Sequence, residues 1–192
     1  MKIALCLYGV VGSSCGKAHN KASTDVLSLG YDRYYQNILK DNEVDIFVHS
    51  WSKEQEKEIV KLYKPTDYLI EEQESFEIPS YIKGNSDLEP KRVQFTFSRW
   101  RSTQKVLNLK KQFENTNSFK YDLTILTRFD IAFEKKINFS DIDPEKINVS
   151  NWYRVEYDNV SDIFKDGRGI FYPLSKKIDT NNLKRFGRGF PY

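Results

Sequence analysis

The chain has 192 residues, 39% hydrophobic and 30% charged, enough for one domain with a sizeable core. Thirty basic against 27 acidic residues leave a net charge of +3 with no arginine-rich run, which argues against a nucleic-acid partner. No stretch approaches the roughly 20 apolar residues of a membrane span, and two cysteines make no disulfide framework. These counts predict a cytoplasmic protein of a reducing compartment. Its mildly basic surface suits phosphate-bearing ligands.

Thirteen Phe and twelve Tyr predict a core and clefts rich in aromatic rings. Lys2–Tyr8 is a continuous apolar run opening onto Gly9, the profile of a strand buried on both faces. It also has the outline of a short signal peptide with Cys15 as a lipidation site. Gly12, however, stands where a lipoprotein signal has Leu, and a first strand fits better. Cys6, within the run, reads as a small buried hydrophobe. Gly9–Ser23 reads as a loop, and Cys15 in it has no second Cys or His at metal spacing. The triplets Asn148-Val149-Ser150 and Asn159-Val160-Ser161 match the glycosylation pattern but carry meaning only with secretion.

Thr24-Asp25 cap a predicted helix to about Leu39, and Val44–Val48 is a second buried strand ending in His49-Ser50-Trp51. Ser52 caps a charged helix from Lys53 to Tyr63, closed by Pro65, and Thr66–Ile70 forms a third strand. Glu71–Pro90, with two prolines and Gly84, reads as a mobile lid. Val93–Phe113 has helical spacing. Asp122–Phe133 opens as a fourth buried strand and breaks at Arg128-Phe129-Asp130, and Ile147–Trp152 is a short fifth. Alternating strands and helices predict one α/β domain around a mainly parallel central sheet flanked by helices. Ligands of such sheets sit outside the carboxyl ends of the strands. Gly9–Lys17, His49–Trp51 and Arg128–Asp130 are therefore expected to converge on one crevice.

Gly12-Ser13-Ser14-Cys15-Gly16-Lys17 is close to a phosphate-cradling P-loop. It is one residue short between its glycines, and Ala18 replaces the Ser/Thr that holds magnesium. It reads as a polar loop, as a loop lying over a nucleotide, or as the phosphate site of a kinase-like enzyme. Arg128 and Asp130, two residues apart at a strand end, point to one face. They either pair with neighbours at the sheet's edge or act on a ligand. In the second case Asp130 takes a hard divalent cation that neutralises a diphosphate leaving group. His49 and Trp51 read as packing residues or as site residues. Arg99 and Arg101 lie on different faces of the long helix, and one of them could reach a phosphate.

Taken in order, Lys2–Gly9, Val44–Trp51, Leu62–Pro65, Ser98–Ser102 and Tyr121–Asp130 resemble small glycosyltransferase-like proteins of polysaccharide loci, large viruses and phages. Arg128-Phe129-Asp130 resembles a variant of the acidic metal motif of GT-A-fold transferases. The resemblance implies a GT-A-like, nucleotide-diphospho-sugar transferase domain over residues 1–192, carried by 1–152. Residues 153–192 form a weaker, acceptor-side part. It implies Mn²⁺ or Mg²⁺ on Asp130, with Arg128 on the phosphates or sugar, a nucleotide-sugar donor and a glycan acceptor. Tyr8, Gly9, Val10, Gly12 and Ser13 would hold the nucleoside, with Asp45, His49, Trp51 and Arg101 nearby. Family members carry a later D-x-x-F-x-S-x-S segment. Asp162-Ile163-Phe164 and Gly169–Ser175 echo it loosely, leaving Asp162 and Asp166 as candidates for the general base. A non-catalytic sugar-nucleotide or glycan-binding module of the same fold is the alternative.

Overall fold

Ile3–Gly9 forms strand β1, and every side chain from Ile3 to Tyr8 is buried. Such a strand needs a neighbour on each edge and a covering layer on each face. A computed structural model describes residues 1–11, 22–80, 90–129, 131, 133 and 136–147, and supplies all four. On one edge lies β2 (Val44–Ser50), in parallel register from Ile3↔Val44 to Gly9↔Ser50. On the other lies β4 (Leu123–Arg128), from Ile3↔Leu123 to Tyr8↔Arg128. Strand β3 (Asp67–Ile70) adds outside β2, giving the order β3-β2-β1-β4 with every pair parallel.

Alternation along the strands sorts the core into two layers. On one face α1 (Ala22–Tyr34), its continuation Tyr35–Leu39 and α2 (Glu56–Tyr63) place Leu27, Tyr34, Ile38, Ile59 and Tyr63 against Ile3, Leu5, Leu7, Ile46 and Val48. On the other, α3 (Pro90–Thr116) places Val106 against Ala4, Cys6, Tyr8 and Phe47. Full burial of one such aliphatic side chain contributes about 1.5–3 kcal/mol. Right-handed crossovers explain the split. The chain steps outward from β1 to β2 to β3 with α1 and α2 on one face. It then reverses to reach the far side of β1, which puts α3 on the other face. The sheet's topological switch point thus falls between β1 and β4.

The ends of the helices follow local chemistry. Lys64 adopts the left-handed conformation (φ 45°) just before Pro65 and stops α2. In the last turn of α3, Glu114 is only 3% exposed. It accepts the Tyr121 N–H at 3.0 Å and pairs with Lys110 at 2.9 Å and Lys120 at 3.3 Å, which aims the chain into β4. Burial works against its charge, but the Lys110 and Tyr121 hydrogen bonds outweigh that and hold the carboxyl below its usual range.

Several expectations are corrected. The first helix begins at Ala22 and its last segment, Tyr35–Leu39, is π-helical rather than α. Strand β4 ends at Arg128 and is not buried on both faces. Thr124 and Leu126 lie exposed on the α3 side, Leu126 at 43%, because α3 packs mainly over β1, β2 and β3. The start of the expected lid is stitched down. The Phe76 N–H donates to Gln94 Oε1 at 3.0 Å, Gln94 Nε2 donates back to the Phe76 carbonyl, and Ser98 Oγ donates to Gln73 Oε1 at 2.9 Å. Residues 81–89 lie outside the described residues. So does the expected fifth strand beyond its first residue, and Ile147 itself is 94% exposed and belongs to no strand. No helix among the described residues is long and apolar enough to cross a membrane.

Candidate functional site

At the carboxyl edge of the sheet the register places Arg128, Tyr8 and His49 side by side on the α3 face. Neighbouring strands lie about 4.8 Å apart, so this row spans about 10 Å across the switch point. Gly9 ends β1 at φ +101°, a conformation that L side chains rarely adopt, and turns the chain toward Val10 and Val11. The Trp51 N–H donates to the Gly9 carbonyl at 3.3 Å, and the Val11 N–H donates to Ser52 Oγ at 2.9 Å. The described parts of the three segments expected to converge, Gly9–Val11, His49–Trp51 and Arg128–Phe129, do meet here.

The floor of the crevice is a buried polar clamp. His49 and Ser102 are both 0% exposed. Ser102 Oγ accepts the Gly9 N–H at 2.9 Å and lies 2.6 Å from His49 Nδ1, while His49 Nε2 lies 3.1 Å from Glu71 Oε1. One proton arrangement satisfies every group. Ser102 donates to Nδ1, and Nε2–H donates to the carboxylate. Burial pushes the His49 pKa below its ordinary value despite the opposing pull of Glu71, so the neutral ring is favoured. Glu71 and Glu74 both bind Lys105, whose ammonium also sits 4.8 Å from the centre of the Trp51 ring. Partial burial disfavours the Glu71 charge, but the hydrogen bonds from Lys105 and His49 prevail and lower its pKa; the same bonds raise that of Lys105.

Ser102, His49 and Glu71 follow the order of a hydrolase triad. Ser102 Oγ is enclosed and already accepts a backbone N–H, so it offers no nucleophile to the crevice. The trio is a clamp that ties β1, β2, α3 and the segment after β3 together. Sequence reading missed Ser102, Glu71 and Lys105. Ser102 stood out only as the end of the Ser98–Ser102 segment, one turn after Ser98, which says nothing about where that helix crosses the sheet.

The other expected site residues separate clearly. Tyr8, Gly9, Val10 and Arg128 stand at the crevice. Trp51 is buried edge-on to His49, with ring centres 4.5 Å apart, and donates its indole N–H to the Ser98 carbonyl at 3.4 Å. Together Trp51 and His49 form the wall beneath the crevice rather than its contact surface. Asp45 is not brought to it. Asp45 pairs across from Ala4 at the amino end of β2, four residues or about 13 Å from His49. There it accepts hydrogen bonds from Tyr121 Oη at 2.7 Å and Thr66 Oγ1 at 3.0 Å. Arg101 is engaged by Glu74 at 3.5 Å and Gln104 at 2.8 Å. Gly12, Ser13, Asp130, Asp162 and Asp166 lie outside the described residues.

The turn after β4 is braced from the opposite face. Phe129 is buried edge-on to Tyr63, with centres 5.5 Å apart, and Tyr34 Oη donates to the Arg128 carbonyl at 2.5 Å. Gly30 of α1 lies so close that a Cβ there would stand 2.7 Å from the Phe129 carbonyl oxygen. Among the described residues no group of three or more His, Cys, Asp or Glu side chains could hold a metal ion. Glu71 and Glu74 are neutralised by Lys105 and Arg101, and Glu71 also accepts the His49 Nε2–H. The described residues therefore do not assemble a divalent-cation shell. Comparison with protein-family models, with curated proteins and with solved structures finds no match in any of the three.

Proposed function

We propose that the chain is a glycosyltransferase of GT-A-like fold. It binds a nucleotide-sugar in the crevice between the carboxyl ends of β1 and β4 and transfers the sugar to a saccharide or glycan acceptor. The observation that carries this reading is the switch point itself. In open parallel sheets the reversal of strand order opens a crevice for a nucleotide, and here arginine and tyrosine side chains stand beside it. Arginine recognises phosphate by charge and by its planar fork of N–H donors. The resemblance of Arg128-Phe129-Asp130 to an acidic metal motif supports the same ligand. On that resemblance Mn²⁺ or Mg²⁺ is held by Asp130 together with oxygens of the donor. The cation would stabilise the departing diphosphate, with Asp162 or Asp166 as the base that activates the acceptor.

The test is a thermal-shift panel of UDP-, GDP-, CMP- and dTDP-sugars, each with and without Mn²⁺, on the wild type and Asp130→Asn. A ligand bound only by the folded chain raises its melting temperature by mass action. The expected result is a metal-dependent rise with one donor class that Asp130→Asn abolishes. Metal-dependent turnover retained in Asp130→Asn would remove the metal assignment. Binding without release of a nucleoside diphosphate would leave a non-catalytic module of the same fold.

A further inference from the structure

Helix α3 returns the chain from β3 to the amino end of β4, so it runs antiparallel to the strands. Its Ser102 meets Gly9, the last residue of β1. The residues of α3 that precede Ser102 therefore overhang the carboxyl edge by about 18 Å, at about 1.5 Å per residue. Three arginines lie on this overhang: Arg92 stands two turns further out, about 10 Å along the axis before Arg99, and the surroundings of Arg99 and Arg101 differ. Arg101 points to the segment after β3 and is neutralised by Glu74. Arg99 turns toward the crevice, where its Nε donates to Tyr8 Oη at 3.3 Å. Among the described residues it has no carboxylate partner. Tyr8 is itself buried, its ring packed under α3 beside the switch point. The hydroxyl thus anchors the Nε of an exposed arginine and leaves its two terminal nitrogens without a hydrogen-bond partner among the described residues.

We infer that Arg99, positioned by Tyr8, is the side chain of α3 that contacts the diphosphate of the ligand, and that Arg101 is not. This rests on the nucleotide-sugar reading above and specifies which arginine carries it. A guanidinium with one edge anchored and a free fork is suited to two oxygens of a diphosphate. An arginine already spanning Glu74 and Gln104 would have to release both.

The experiment is titration calorimetry of UDP, GDP, CDP and dTDP, with inorganic diphosphate alongside, against the wild type, Arg99→Gln, Arg101→Gln and Tyr8→Phe. Arg99 is exposed, so the folded state of Arg99→Gln is checked by an unchanged melting temperature. The expected result is Kd raised about tenfold or more in Arg99→Gln, from the loss of a charge-assisted hydrogen-bond pair, and changed less than about twofold in Arg101→Gln. Tyr8→Phe should weaken binding by an intermediate factor, and its effect should vanish in the Arg99→Gln background, as expected of a residue acting through another. Wild type that binds a nucleoside diphosphate as tightly as Arg99→Gln does would overturn the inference and leave the nucleotide reading standing. Equal losses in Arg99→Gln and Arg101→Gln would also overturn it. Wild type that binds none of the five probes would remove both.

Discussion

Ser102→Ala tests whether the clamp beneath the crevice holds the fold. The substitution deletes one hydroxyl that serves two groups, the half-buried Gly9 N–H and the buried His49 Nδ1. Each buried polar group left without a partner costs about 1–3 kcal/mol, and partial relaxation around one missing oxygen puts the pair at about 2–4 kcal/mol. In a chain of this size that corresponds to a fall in melting temperature of roughly 4–16 °C. Ser98→Ala is the internal control. It lies one turn earlier on α3, and its hydroxyl bonds only Gln73 at the surface. It should change stability by no more than about 0.5 kcal/mol. Melting and urea curves of the two variants, read together, give the answer. A Ser102→Ala protein melting within about 2 °C of wild type would refute the buried-clamp reasoning. So would equal effects from both serines.

The pH dependence follows from two shifts of the same sign. The His49 pKa is lowered from 6.5, so the unfolded chain takes up protons that the folded one refuses, and stability falls as pH drops below about 6.5. The Glu71 pKa is lowered from 4.5, which adds a further loss as pH falls through and below that value. Urea midpoints should be flat above neutrality and decline on acidification; midpoints rising between pH 7 and 5 would contradict this. Cys6 is buried and its thiol is pushed up to about 12, so in a Cys15→Ser background it should resist thiol reagents at pH 8 until the protein unfolds. Rapid labelling of the native protein would count against the packing around β1. Gly30→Ala should destabilise. Overpacking against a backbone oxygen costs about 1–3 kcal/mol, at the upper end where the neighbour cannot rotate away. That exceeds the roughly 1 kcal/mol gained by replacing a helical glycine. A variant with a raised melting temperature would show that α1 shifts freely.

How much of this was legible depends on the range over which each feature is decided. β1 and β2 were readable because a parallel strand covered on both faces has to be apolar at consecutive positions, as in Ile3–Tyr8. The meeting of Gly9, His49 and Arg128 was readable because parallel strands bring their carboxyl ends to one edge. β4 was misread as fully buried because Leu126 looks the same in sequence whether or not a helix covers it. Asp45 was assigned to the crevice although it lies at the amino end of β2 and His49 nearly ends it. A strand has two ends, and only one faces the ligand. Arg99 and Arg101 could not be ranked, since their roles depend on where α3 crosses the sheet. That crossing is set by the contact of Ser102 with Gly9, 93 residues apart in sequence.

The central position of β1 also shapes how the chain is made. Its second neighbour, β4, lies about 120 residues downstream, with Ile3 opposite Leu123. At about 5–20 residues per second on the ribosome, the first strand waits about 6–24 s for that partner. During this interval one edge of the most apolar segment is open to pairing with any extended chain nearby. A nascent chain stalled before residue 123 should therefore recruit holdase chaperones, while one extended past Arg128 should shed them.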